Sequence, residues 1–107
     1  MQSTRVKLVV FVPISHADAI RRVLGETGAG KIGNYDFCSF SIQGIGRFRP
    51  NQNAKPLIGE ANVIEAVKEE RIETIVARSV LQKVITKIRA VHPYEEIAFD
   101  IYSLEDE

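Results

Sequence analysis

The sequence predicts an α+β fold of the ferredoxin-like β-α-β-β-α-β type, a four-stranded antiparallel sheet with two helices on one face. Three observations carry this. A β-branched run from Val6 to Val12 stops at Pro13, and two amphipathic helical patterns follow Ser15 and Ser79. Alternating strand patterns occupy Phe37 to Phe48, Arg71 to Val76 and Ile97 to Leu104.

A chain of 107 residues is one domain, residues 1–107, with 45% hydrophobic residues to supply its core. Fourteen basic and fourteen acidic side chains cancel, so no field favours nucleic acid or an anionic membrane, and little self-repulsion opposes association. The single cysteine, Cys38, precludes an internal disulfide and fits a reducing compartment. The longest N-terminal apolar run, Leu8 to Val12, is far short of the ~20 residues of a membrane span, and no cleavage site of small residues follows it. A cytoplasmic protein is expected.

In the first strand Val6, Leu8, Val10 and Val12 share one face, and Arg5, Lys7, Val9 and Phe11 the other. The second face turns apolar towards its end, where a partner subunit could cover it. Ser15, with Asp18 three residues on, predicts the cap of a helix running to Thr27 and ended by Gly28 and Gly30. The second strand places Cys38, Phe40 and Ile42 on one side, with Gly44 and Gly46 marking a bulge or a close backbone approach. Arg49 to Pro56 reads as a loop with little to bury, the segment expected to move most.

Glu60 to Val76 is expected to be a long, bent third strand, although Val63, Ile64 and Val67 also fit one helical face. Ser79 and Gln82 form a capping box for the second helix, which His92-Pro93 stops because proline disfavours the α conformation before it. The fourth strand is Ile97 to Leu104, and Glu105-Asp106-Glu107 is an acidic tail expected to fray. Right-handed crossovers then give the spatial strand order 4-1-3-2, with one sheet face open to water or to a partner.

Gly25 to Lys31 matches G-x-x-x-x-G-K, and Gly28 to Gly33 matches G-x-G-x-x-G. Phosphate loops need a strand before the glycines and a helix after them. Here that order is reversed, so a turn-and-cap role is the better reading. The candidate metal ligands are His16, Cys38, His92, Glu95 and Glu96, and a divalent metal ion is the candidate cofactor. None has the close paired spacing of a zinc knuckle, so any such site must be assembled by the fold. Cys38 reads better as a small buried hydrophobe, and His16, near a helix N-terminus, as a neutral imidazole.

His92-Pro93-Tyr94-Glu95-Glu96 lies between a helix and a strand, where side chains can converge. As a joint, His92 caps the helix carbonyls; as a site, the imidazole and Glu95 or Glu96 hold a cation. The helix dipole and either acid would favour protonated His92. The joint has the better claim. Ser15 and Ser79 are used as caps and no nucleophile, base and orienting acid assemble, so no enzyme is expected. Phe37, Phe40 and Phe48 on a sheet suggest base stacking, but the zero net charge argues against RNA.

Five ordered stretches, Gly33 to Phe40, Gly46 to Pro50, Ile58 to Glu60, Arg71 to Val76 and His92 to Glu96, together resemble the insertion domain of the YqfO-type, or NGG-interacting-factor-three-like, family. The resemblance runs from Val6 to Leu104. It implies a fold similar to PII signalling proteins and to CutA, which are commonly trimeric. The core domains that carry that family's two-metal site have no counterpart here, so the chain is read as the insert alone and the larger proteins' chemistry does not carry over. It departs from the family at Ala77-Arg78, where proline is often found, and at Ile97 and Phe99, where proline and tyrosine are frequent. The expectation is a non-catalytic binding or regulatory module that forms a homo-oligomer, dimer or trimer, with a protein partner as a further candidate and neither nucleic acid nor membrane.

Overall fold

A computed structural model describes residues 4–105; of the acidic tail, Asp106 and Glu107 lie outside the described residues. Strand β1 (Arg5–Pro13) leads through a 3-10 turn (Ile14–His16) into helix α1 (Ala17–Glu26). Strands β2 (Phe40–Phe48) and β3 (Glu65–Ala77), helix α2 (Arg78–Val91) and strand β4 (Phe99–Ser103) follow. The sheet order is β2-β3-β1-β4, all pairs antiparallel, as the crossover rule requires. No helix among the described residues is long and apolar enough to cross a membrane.

Val6, Leu8, Val10 and Val12 of β1 and Ile72 and Val76 of β3 pack against Ile20 and Leu24 of α1 and Val84 and Ile88 of α2. Burying each of these side chains is worth about 1.5–3 kcal/mol, and this apolar layer holds both helices on one face. Across it, Glu70 of β3 is tied to Arg21 of α1 at 2.8 Å, and Arg21 also reaches Ser41 of β2 at 3.2 Å.

Several boundaries differ from the sequence expectations. α1 starts at Ala17, because Pro13 to His16 first make a 3-10 turn; Ser15 bonds the His16 ring at 2.8 Å and caps nothing. α2 starts at Arg78 directly from extended Ala77, so Ser79 lies inside the helix and no side chain caps it. β3 begins at Glu65, after a turn in which Asn62 takes φ 64°. β4 begins at Phe99, two residues late.

β2 begins at Phe40 because Phe37 adopts φ 56° and turns the chain. Before that turn, Gly30 (φ 78°) donates to the Ile75 carbonyl at 2.7 Å and accepts from the Cys38 N–H at 2.9 Å. A Cβ on Gly30 would strike the Cys38 backbone. This glycine run is a turn docked on β3, matching the turn-and-cap reading. The β2·β3 register is unbroken from Phe40↔Glu73 to Phe48↔Glu65, so Gly44 and Gly46 make no bulge. Gly46 instead leaves room for the Glu69 carboxylate.

The open sheet face follows from the register: Lys7, Val9 and Phe11 of β1, Glu69, Arg71, Glu73 and Ile75 of β3, Phe40 and Ile42 of β2, and Asp100 and Tyr102 of β4. Val9, in register with Glu73 and Asp100, is fully buried within this single chain. Lys7 and Arg71 both pair with Glu73, at 3.4 and 3.1 Å. The Arg71 guanidinium, foremost, holds the Glu73 carboxyl below the usual carboxylate range. Beside this network Phe40 and Ile42 are 62% and 51% exposed, and Tyr102 is 44% exposed.

Candidate functional site

The stretch after α2 forms one wall of the site. His92 leaves the helix in an extended conformation (φ −70°, ψ 135°), as its following proline demands, while its N–H still bonds the Ile88 carbonyl at 2.8 Å. The residue is 7% exposed. Nδ1 accepts the Tyr94 N–H at 3.1 Å, so the proton sits on Nε2, which donates to the Phe11 carbonyl at 2.8 Å. Burial pushes the His92 pKa below its ordinary value, against the opposing pull of the Phe11 carbonyl and of the Glu69 charge. This corrects the expectation of an imidazolium paired with Glu95 or Glu96, because desolvation outweighs the helix end. The carbonyl it satisfies belongs to β1, not to the helix.

Glu95 accepts the Lys55 N–H at 2.8 Å, pinning the 49–56 loop. That loop is further held by Asn51, whose side chain accepts the Asn53 N–H at 2.8 Å, and by the Pro50 carbonyl, which accepts the Asn62 N–H at 2.6 Å. Pro50 is buried, contrary to the expectation of a loop with little to bury. His16 caps nothing and bonds Ser15. Cys38 is half-buried rather than buried: it precedes β2, its carbonyl accepts the Thr74 hydroxyl at 2.7 Å, and its thiol faces the Asp36 carbonyl at 3.7 Å. Glu96 is exposed at the rim. Among the described residues no three His, Cys, Asp or Glu side chains gather as a metal-ligand group.

Between this wall and the sheet lies a cavity of about 390 Å³. Phe11, Phe48, Leu57 and Ile58 line it, with Glu69, Tyr94, Glu95 and Glu96 as its acidic and hydroxyl groups and Arg47 and Arg49 also contributing. Phe48 and Tyr94 meet edge to face with centroids 5.9 Å apart. The buried Tyr94 hydroxyl faces the Glu69 carboxylate without forming a well-aligned hydrogen bond. Burial, reinforced by the Glu69 charge and by the pull of the Glu69 side chain on the hydroxyl proton, pushes its pKa up to about 12, so it stays protonated.

Glu69 is not among the candidates that the sequence singles out; it falls within the expected third strand without a role. Its signal was the two-residue alternation of Glu69, Arg71 and Glu73 along a strand, set opposite the side-chain-free Gly44 and Gly46.

A split β-α-β sheet with both helices on one face is the ferredoxin-like fold of the CutA and PII type. The solved CutA of Xylella fastidiosa matches 98% of this chain and 88% of its own at TM-score 0.72, with 16% identity, which shows the fold. A Bacillus cereus protein related to NIF3 matches 99% of this chain and 27% of its own at TM-score 0.83 and 44% identity. A Halalkalibacterium halodurans protein named GTP cyclohydrolase 1 type 2 homolog is 48% identical over 101 residues, 94% of this chain. The chain is a relative of these YqfO-type, NIF3-related proteins, and spans about a quarter of their length, 27% of the H. halodurans protein. No protein-family model matches it.

Proposed function

We propose that the chain acts as a non-catalytic binding module that associates with copies of itself through its open sheet face. The exposed pair Phe40 and Ile42 on that face, beside Lys7 and Arg71 that already pair with Glu73 within the chain, is the observation that carries this. Bare aromatic and aliphatic side chains on a sheet with helices on its other side are the usual mark of an interface. Lys7 and Arg71 flank Glu73, so a second copy meets both signs of charge, and the chain's net charge of zero sets up no repulsion. Four strands about 4.8 Å apart and about 30 Å long present roughly 600 Å² in projection, near the ~800 Å² per partner of a stable complex.

The non-catalytic part is supported by His92, whose two ring nitrogens are engaged by backbone groups and so are unavailable as an acid or base. Sedimentation velocity tests the association. The unmodified chain at tens of micromolar is expected to run as an oligomer, and a strict monomer would remove the proposal.

A further inference from the structure

The rim cavity has a polarity that the fold itself does not use. Glu69 carries a carboxylate with no ion pair among the described residues, and the buried Tyr94 hydroxyl faces it without forming a well-aligned hydrogen bond. A buried hydroxyl oxygen with an unused lone pair favours a ligand that can donate to it. Gly46 keeps the space above the sheet clear, since a Cβ there would run into the Glu69 carboxylate. The walls are largely aromatic and aliphatic, Phe11 and Phe48 among them.

We propose that this cavity binds a flat cationic N–H fork, an amidine or guanidine carried on an apolar ring, with Glu69 taking the fork and Phe48 and Phe11 taking the ring. A carboxylate accepts two parallel N–H bonds from such a group, and the Tyr94 oxygen can accept another. Aromatic faces add cation–π attraction. The volume of about 390 Å³ falls within the range that small-molecule sites occupy. Glu95 and Glu96 raise the acidic count at the rim to three against Arg47 and Arg49. Arg47 pairs with Ala66 and so extends towards the helix side of the sheet, away from Glu69. This deepens the binding-module reading and rests on it, although every group involved belongs to one chain.

The test is an NMR titration of the full chain with benzamidine, and with benzoate as the isostere of opposite charge, at constant ionic strength. Benzamidine is expected to give saturable shifts at Phe48, Tyr94 and Glu95 in the millimolar range or tighter, and benzoate none. Glu69→Gln should weaken benzamidine at least tenfold. Gly46→Ala, which displaces the carboxylate while keeping it, should weaken it too and stands in if Glu69→Gln does not fold. Absence of saturation, equal binding of benzoate, or undiminished binding in a folded Glu69 or Gly46 variant would each overturn the assignment. Sedimentation of the same samples separates the two readings: an oligomer that ignores benzamidine fails only the cavity, and a monomer that binds it fails only the association.

Discussion

The His92 Nε2–H lies 2.8 Å from the carbonyl oxygen of Phe11, a residue 81 positions earlier, and takes the place of a strand. Phe11 gives its N–H to the Ala98 carbonyl at 3.0 Å, but β4 begins only at Phe99, so the Phe11 carbonyl on the same edge has no ladder partner. The imidazole supplies the missing donor and fastens the end of α2 to β1.

Replacing His92 by alanine should therefore cost about 1–3 kcal/mol, the penalty for leaving the Phe11 carbonyl unbonded. Urea denaturation followed by circular dichroism would measure it. A loss within a few tenths of a kcal/mol would mean that water substitutes freely.

The same residue sets a pH dependence. Its folded pKa lies below its ordinary value, so the unfolded chain binds the proton first as the solution is acidified. Stability is fully present above the ordinary histidine value of about 6.5 and falls as the pH drops from there through the lower folded pKa. His92→Gln should flatten the difference in melting temperature between pH 7.5 and 5.5.

Gly30→Ala should destabilise the fold by about 1–3 kcal/mol, because it strains a left-handed residue and also pushes β3's docked turn off the Cys38 backbone. Gly33→Ala, at φ 56° but with open space around it, should cost less. Paired thermal melts would rank them, and the reverse order would contradict the docking of this turn.

Tyr94→Phe should change the stability of the ligand-free protein by no more than about 1 kcal/mol, since it removes a buried hydroxyl that faces Glu69 without a well-aligned hydrogen bond. A clear destabilisation by chemical denaturation would show that the hydroxyl has a partner in solution.

Most of the architecture was legible because hydrophobic period and proline both act locally. Val6 to Val12 announced a buried strand, and His92-Pro93 the end of α2. The helix starts were misjudged because Ser15 and Ser79 have the right chemistry one and two residues from the right place, and packing of Ile20, Val84 and Ile88 fixes the helices without caps. His92 was singled out but given the wrong partner: the Phe11 carbonyl is far off in sequence, while Glu95 and Glu96 are near and obvious. Glu69 acquires its setting only when β2 brings Gly46 alongside β3, a relation that no local pattern encodes.

Sedimentation equilibrium on two single variants of one strand tests the assembly most directly. Phe40 and Ile45 both lie on β2 and are both exposed, but the register puts Phe40 on the open face and Ile45 on the helix side. Phe40→Glu is expected to dissociate the oligomer to monomers while Ile45→Glu leaves it intact. Equal behaviour of the two, or dissociation by Ile45→Glu alone, would contradict association through the open face.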